Sequence, residues 1–174
     1  MIHPTIDAAS QLRQQGVKPA DVERVELRVH PLVLELTGKK DPQDGLQGKF
    51  SVYQGFALGL VFGRAGESEY TDEIVRRTDM AQLRRKVQAS ADPAIDETAA
   101  DVTVILKGGA KKHVFVEHAI GSLAKPMSDA DLEAKFHGLA DPVIGPSKAQ
   151  ALIAACWNLA RAKDVRALCE GARP

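Results

Sequence analysis

Cysteine is scarce: the 174 residues contain two, Cys156 and Cys169, both near the end and without CxxC spacing. Cysteine ligation therefore supplies neither a zinc site nor an iron–sulfur cluster, and the scarcity fits a reducing, cytoplasmic setting. Charge of one sign is not in excess either. The 23 basic residues balance 23 acidic ones, so the formal net charge is zero and the pI is near 7.0. That leaves no basic face of the kind that nucleic acid or an anionic membrane requires. The longest apolar run, Phe50 to Phe62, is shorter than the roughly 20 residues that span a bilayer. The opening Met1-Ile2-His3-Pro4 has no basic start followed by an apolar core, so no secretory leader is visible. The expectation is a soluble chain whose 44% hydrophobic content buries a core as one domain, or as a domain with an appendage.

The segment from Gly45 to Gly63 carries the most information. Between Phe50 and Phe62 only Ser51, Gln54 and the Tyr53 hydroxyl interrupt apolar or small side chains, which predicts a buried helix. Ser51, Gly55, Gly59 and Gly63 recur every four residues, so one stripe of that helix lacks side-chain bulk and admits a close neighbouring backbone. The same spacing puts Lys49 and Tyr53 together on an adjacent face. Either they line a site, or Lys49 reaches solvent and the Tyr53 hydroxyl finds a backbone partner.

Around this segment the patterns alternate. Pro4 opens a helix through Ile6, Ala9 and Leu12 that Gly16 stops. Val25, Leu27 and Val29 follow with the two-residue period of a strand. Thr37 to Gly48 reads as a loop, Asp72 to Arg77 and Asp79 to Arg85 as short helices, and Val87 to Ser90 as a strand. Residues 102–106 and 114–116 form a hairpin around Gly108-Gly109, with Lys107, Lys111, Lys112 and Glu117 on its solvated side. Ser128 and Asp131 suggest a capping box for a helix over about 129–139. After Gly145-Pro146 an amphipathic tail carries Leu152, Ile153, Cys156 and Trp157. The sum is an α+β fold: an antiparallel sheet with helices packed on one side, over residues 1–145, plus a C-terminal helical tail at 146–174. His30, His113, His118 and His137 are scattered without ligand spacing and read as surface or satisfied histidines.

Four blocks, in order, resemble the carboxy-terminal domain of the MmgE/PrpD family: His3-Pro4-Thr5-Ile6-Asp7-Ala8-Ala9; Gly48-Lys49-Phe50-Ser51-Val52-Tyr53 with its apolar helix; the strands around Lys107-Gly108-Gly109; and Lys125-Pro126-Met127-Ser128 through Phe136. The family includes 2-methylcitrate dehydratase, cis-aconitate decarboxylase and iminodisuccinate epimerase, which work at a carbon next to a carboxylate without metal or organic cofactor. The resemblance implies an α+β lid domain, a small polycarboxylate substrate, a homodimer, and a separate all-helical amino-terminal domain, outside this sequence, on which the tail would pack. It implies that the chain alone is inactive or nearly so.

Chemistry beside a carboxylate needs a group to move a proton, positive charge for the carboxylates and donors for a developing enolate-like oxygen. His3 matches the family histidine and is the acid/base or orienting candidate, unless it is a frayed terminal residue. Tyr53 is the second catalytic candidate; Lys49, Ser51 and Gln54 are substrate-binding candidates, Gln54 being unable to exchange a proton. The family lysine a few residues before His3 is not in this sequence. The competing expectation is a stand-alone, non-catalytic α+β module for oligomerisation or small-anion binding.

Overall fold

Pro4 needs no N–H partner in a first helical turn and its fixed φ suits a helix start, so α1 (His3–Gln14) begins there and buries Thr5, Ile6, Ala8, Ala9 and Leu12. The computed structural model describes residues 1–173. These form two compact units, Met1–Pro126 and Met127 onward.

In the first unit, β1 (Val22–Val29), β2 (Val87–Ala91), β3 (Ala100–Leu106) and β4 (Lys111–Val116) make a sheet in the order β2-β1-β3-β4. β3 runs antiparallel to both β1 and β4, as expected, and Leu27, Val102 and Val114 align across the three strands. β2 instead lies parallel to β1. A parallel return needs a long crossover, and the helices between residues 31 and 85 supply it. Val25, Leu27, Val29, Val102, Val104, Val114 and Val116 join α1 side chains in one buried core. The opposite sheet face is charged. Arg28 pairs with Asp92 and, at 2.9 Å, with Asp101, which also holds His113 Nε2 at 2.7 Å.

The crossover departs from the sequence reading at its start. Residues 31–49 contain α2 (Pro31–Thr37) and α3 (Gly45–Lys49), and α3 falls within the stretch from Thr37 to Gly48 that reads as a loop. Both are too short to form on propensity and are set by their caps. The His30 ring accepts the Leu32 N–H, and the Asp44 carboxylate accepts the Gln47 N–H at 2.7 Å. α4 (Val52–Phe62) follows, then α5 (Asp72–Arg76) and α6 (Thr78–Arg85). The small-residue stripe of α4 admits a close neighbouring backbone, as expected, and that neighbour is α1. A Cβ at Gly59 would lie 2.5 Å from the Ile6 carbonyl oxygen and 2.8 Å from the Ala9 Cβ, so the helices pack closer than side chains on both faces permit.

The second unit holds α7 (Asp129–Ile144), α8 (Pro146–Trp157) and α9 (Arg166–Gly171). Ser128 and Asp131 form the expected capping box, but the helix runs past 139, through Pro142, to Gly145 at φ +81°. α7 packs on α8 within this compact unit, which begins at Met127. Its apolar residues are incompletely covered: Ala149, Leu152 and Ile153 are buried, while Leu132, Leu139, Val143, Trp157, Leu159 and Val165 are exposed. His137 clasps the two helices, with Nδ1 2.8 Å from Asp141 and Nε2 3.2 Å from Gln150. The Asp141 hydrogen bond raises the His137 pKa above its usual value. The clasp therefore contributes fully below the unfolded value of about 6.5 and is lost as pH rises through the raised folded value. Thermal melts of the second unit should show stability falling across that window, and His137→Gln should flatten the dependence. An unchanged pH profile in His137→Gln would contradict the clasp.

Candidate active-site face

The site is built where α4 begins. Ser51 is its N-cap: the hydroxyl accepts the Gln54 N–H at 3.1 Å and donates to the Lys39 carbonyl. A backbone bridge between Gly38 and Ser51 adds a second tie. These bonds fix residues 38–41 beside the start of α4, opposite the end of α6 and strand β2. The space enclosed is a cleft of about 530 Å³ lined by Lys40, Asp41, Tyr53, Arg84, Arg85 and Gln88, with Ala81, Val87 and Ala89. Its size falls in the range of small-molecule sites, roughly 300–1,000 Å³.

Arg84 dominates the wall. It follows Met80 by one turn and is carried inward on the same helix face, so that both are buried. One terminal nitrogen donates to Gln54 Oε1 at 2.6 Å and to the Val75 carbonyl at 2.8 Å. The other stands 3.5 Å from Asp41 Oδ1. Burial pushes the Arg84 guanidinium below its ordinary value, against the pull of Asp41. Tyr53 is buried along the same wall, and desolvation raises its hydroxyl pKa, which keeps it a neutral donor at pH 7.

The remaining candidates sit elsewhere. Lys49 ends α3, and the chain is not helical at Phe50 and Ser51, so the four-residue spacing to Tyr53 does not put the two on one face. Lys49 Nζ instead pairs with Glu67 at 2.7 Å on the exposed surface. His3 is exposed at the start of α1 and does not line the cleft. One turn later Asp7 accepts the Ile120 N–H at 2.7 Å, tying the 117–126 loop to α1. Desolvation raises the Asp7 carboxyl pKa, opposed by the Ile120 N–H and by the charges of Lys125 and His3. Among the described residues no group of three or more His, Cys, Asp or Glu is arranged to hold a metal ion. No described helix is long and apolar enough to cross a membrane.

The MmgE/PrpD C-terminal domain profile matches residues 1–159. The chain belongs to the MmgE/PrpD family. It is 30% identical over 122 residues to the 2-methylcitrate dehydratase of Salmonella typhimurium strain LT2, a match covering 64% of this chain and 25% of that protein. The 2-methylcitrate dehydratase of Escherichia coli K12 is 27% identical over the same coverage. The matched stretch thus spans a quarter of these relatives.

Within this MmgE/PrpD domain, the structure brings Ser51, Tyr53 and Gln54 together at the head of α4 and sets Lys49 and His3 apart from the cleft. Sequence reasoning missed Lys40, Asp41, Arg84 and Arg85. For Arg84 the signal was its place one turn after Met80 and next to Leu83, both buried in α6; a charged residue there calls for a buried partner. Lys40 and Asp41 gave no such signal, because their position depends on the Ser51–Lys39 tie.

Proposed function

We propose that this chain is the carboxy-terminal, lid-like portion of a cofactor-independent lyase of the MmgE/PrpD family that acts on a small polycarboxylic acid of the 2-methylcitrate or cis-aconitate type. The observation that carries this reading is the match to the 2-methylcitrate dehydratases within a domain that the family profile covers almost throughout. In a dehydration, a proton leaves the carbon beside a carboxylate while the hydroxyl departs from its neighbour with a proton, giving an alkene and water. His3 and Tyr53 are the groups proposed to move or stabilise those protons. Lys49 would hold a substrate carboxylate by exchanging it for Glu67. Ser51 and Gln54, already engaged with Lys39 and Arg84, act by placing the loop and the arginine. Residues 146–174, with their exposed apolar side chains, would pack on an all-helical domain or on a second copy of the chain in a homodimer. The chain alone then turns over nothing.

The test is to mix the chain with a separately expressed helical domain of a 2-methylcitrate dehydratase and follow consumption of 2-methylcitrate and cis-aconitate. Turnover is expected only in the mixture. Tyr53→Phe and His3→Ala should each lower it by about a hundredfold or more, the scale of a lost acid/base group. No association and no turnover would favour a stand-alone anion-binding module, for which the cleft formed within this one chain is the specific support.

A further inference from the structure

We propose that the cleft between residues 38–41, α6 and β2 is a polycarboxylate clamp in which Arg84 and Lys40 each hold a carboxylate of the ligand and Asp41, the exposed counterion of Arg84, gives way when the ligand binds. This deepens the reading above and rests on its substrate class, but the residues are ones that neither the sequence reading nor the family match singled out.

The lining charges are unequal: Lys40, Arg84 and Arg85 face one acid, Asp41. The Arg84 side chain is 3% exposed, whereas its counterion Asp41 is 73% exposed and 3.5 Å away. Such a pair is long and loosely held, and water and salt screen its outer member. A guanidinium withdrawn from water needs a close anion and filled donor positions. Here the Nε of Arg84 has no hydrogen-bond partner, and neither does the Nε2 of Gln54, which is bonded to Arg84 through its oxygen. A carboxylate matches the planar fork of an arginine in a way that the distant Asp41 does not achieve here. Lys40 and Arg85, which also line the cleft, add charge for a second carboxylate. The Tyr53 hydroxyl and the Gln88 amide supply donors for a ligand hydroxyl or a remaining carboxyl oxygen. A monocarboxylate uses only part of this set.

Calorimetric titration of the full chain at low ionic strength, with citrate, tricarballylate, acetate and inorganic phosphate as probes, tests the clamp. Both tricarboxylates should bind, with acetate and phosphate at least about tenfold weaker. Lys40→Gln should weaken citrate about tenfold, and Asp41→Asn should tighten it, because the competing carboxylate is gone. Both positions are exposed, so the variants keep the fold, checked by far-UV circular dichroism. In heteronuclear NMR the Arg84 Nε–H resonance should shift on citrate addition and stay fixed with acetate. Absence of citrate binding, phosphate binding as tightly as citrate, or citrate binding indifferent to both substitutions would overturn the clamp. The two proposals fail separately. Citrate binding without turnover in the domain mixture removes the lyase reading and keeps the clamp; turnover unaffected by Lys40→Gln and Asp41→Asn removes the clamp and keeps the lyase.

Discussion

Gly59→Ala is expected to destabilise the Met1–Pro126 unit by about 1–3 kcal/mol, the usual cost of an inserted core methyl, and Gly59→Val to prevent its folding. The reason is geometric. The added Cβ would meet the Ile6 carbonyl oxygen at 2.5 Å, and a backbone atom in mid-helix yields only if all of α1 moves. α1 is wedged between α4 and strands β3 and β4, so the shift would open the core along Leu12, Val102 and Val114. Gly138→Ala is the contrasting case: nothing lies within 4 Å of the new Cβ in α7, and the gain in helix propensity should add up to about 1 kcal/mol to the second unit. Urea denaturation followed by circular dichroism separates the two outcomes. Equal, small effects at both positions would mean that α1 and α4 are not in close contact.

Arg84→Met should be the most damaging change at the cleft. It strips donors from the buried Gln54 oxygen and the Val75 carbonyl, and each buried acceptor left bare costs of order 1–3 kcal/mol. A paired change, Arg84→Met with Gln54→Leu, removes one orphan together with its partner. The double variant is therefore expected to be more stable than the sum of the single losses by about 0.5–3 kcal/mol, the range of coupling between contacting residues. Strict additivity in a denaturation cycle would show that the Arg84–Gln54 bond does not organise this wall.

Much of this architecture was legible because it follows from short periodicities. The four-residue recurrence of Gly55 and Gly59 announced a helix with a bare stripe, and the alternation at Val25–Val29 and Val102–Leu106 announced half-buried strands. The parallel pairing of β2 was not legible, since the period of a strand is two whichever way its neighbour runs. α2 and α3 escaped because they depend on single caps, His30 and Asp44, rather than on a repeating apolar face. The grouping of Lys49 with Tyr53 failed where the helix breaks at Phe50 and Ser51: spacing carries a face only while the backbone stays helical. Arg84 was legible only as a charge on a buried face, without its partner. Its burial rests on Gln54, 30 positions earlier, and nothing local in residues 78–85 specifies that partner.

The lid assignment itself is tested most directly by a chimera. Residues 1–126 of this chain would replace the matching segment of the Escherichia coli 2-methylcitrate dehydratase, the rest of that protein being left intact, and turnover of 2-methylcitrate would be measured. Retained turnover that falls about a hundredfold with Tyr53→Phe is the expected result. A folded chimera with no turnover, or one whose turnover ignores both Tyr53→Phe and His3→Ala, would contradict it.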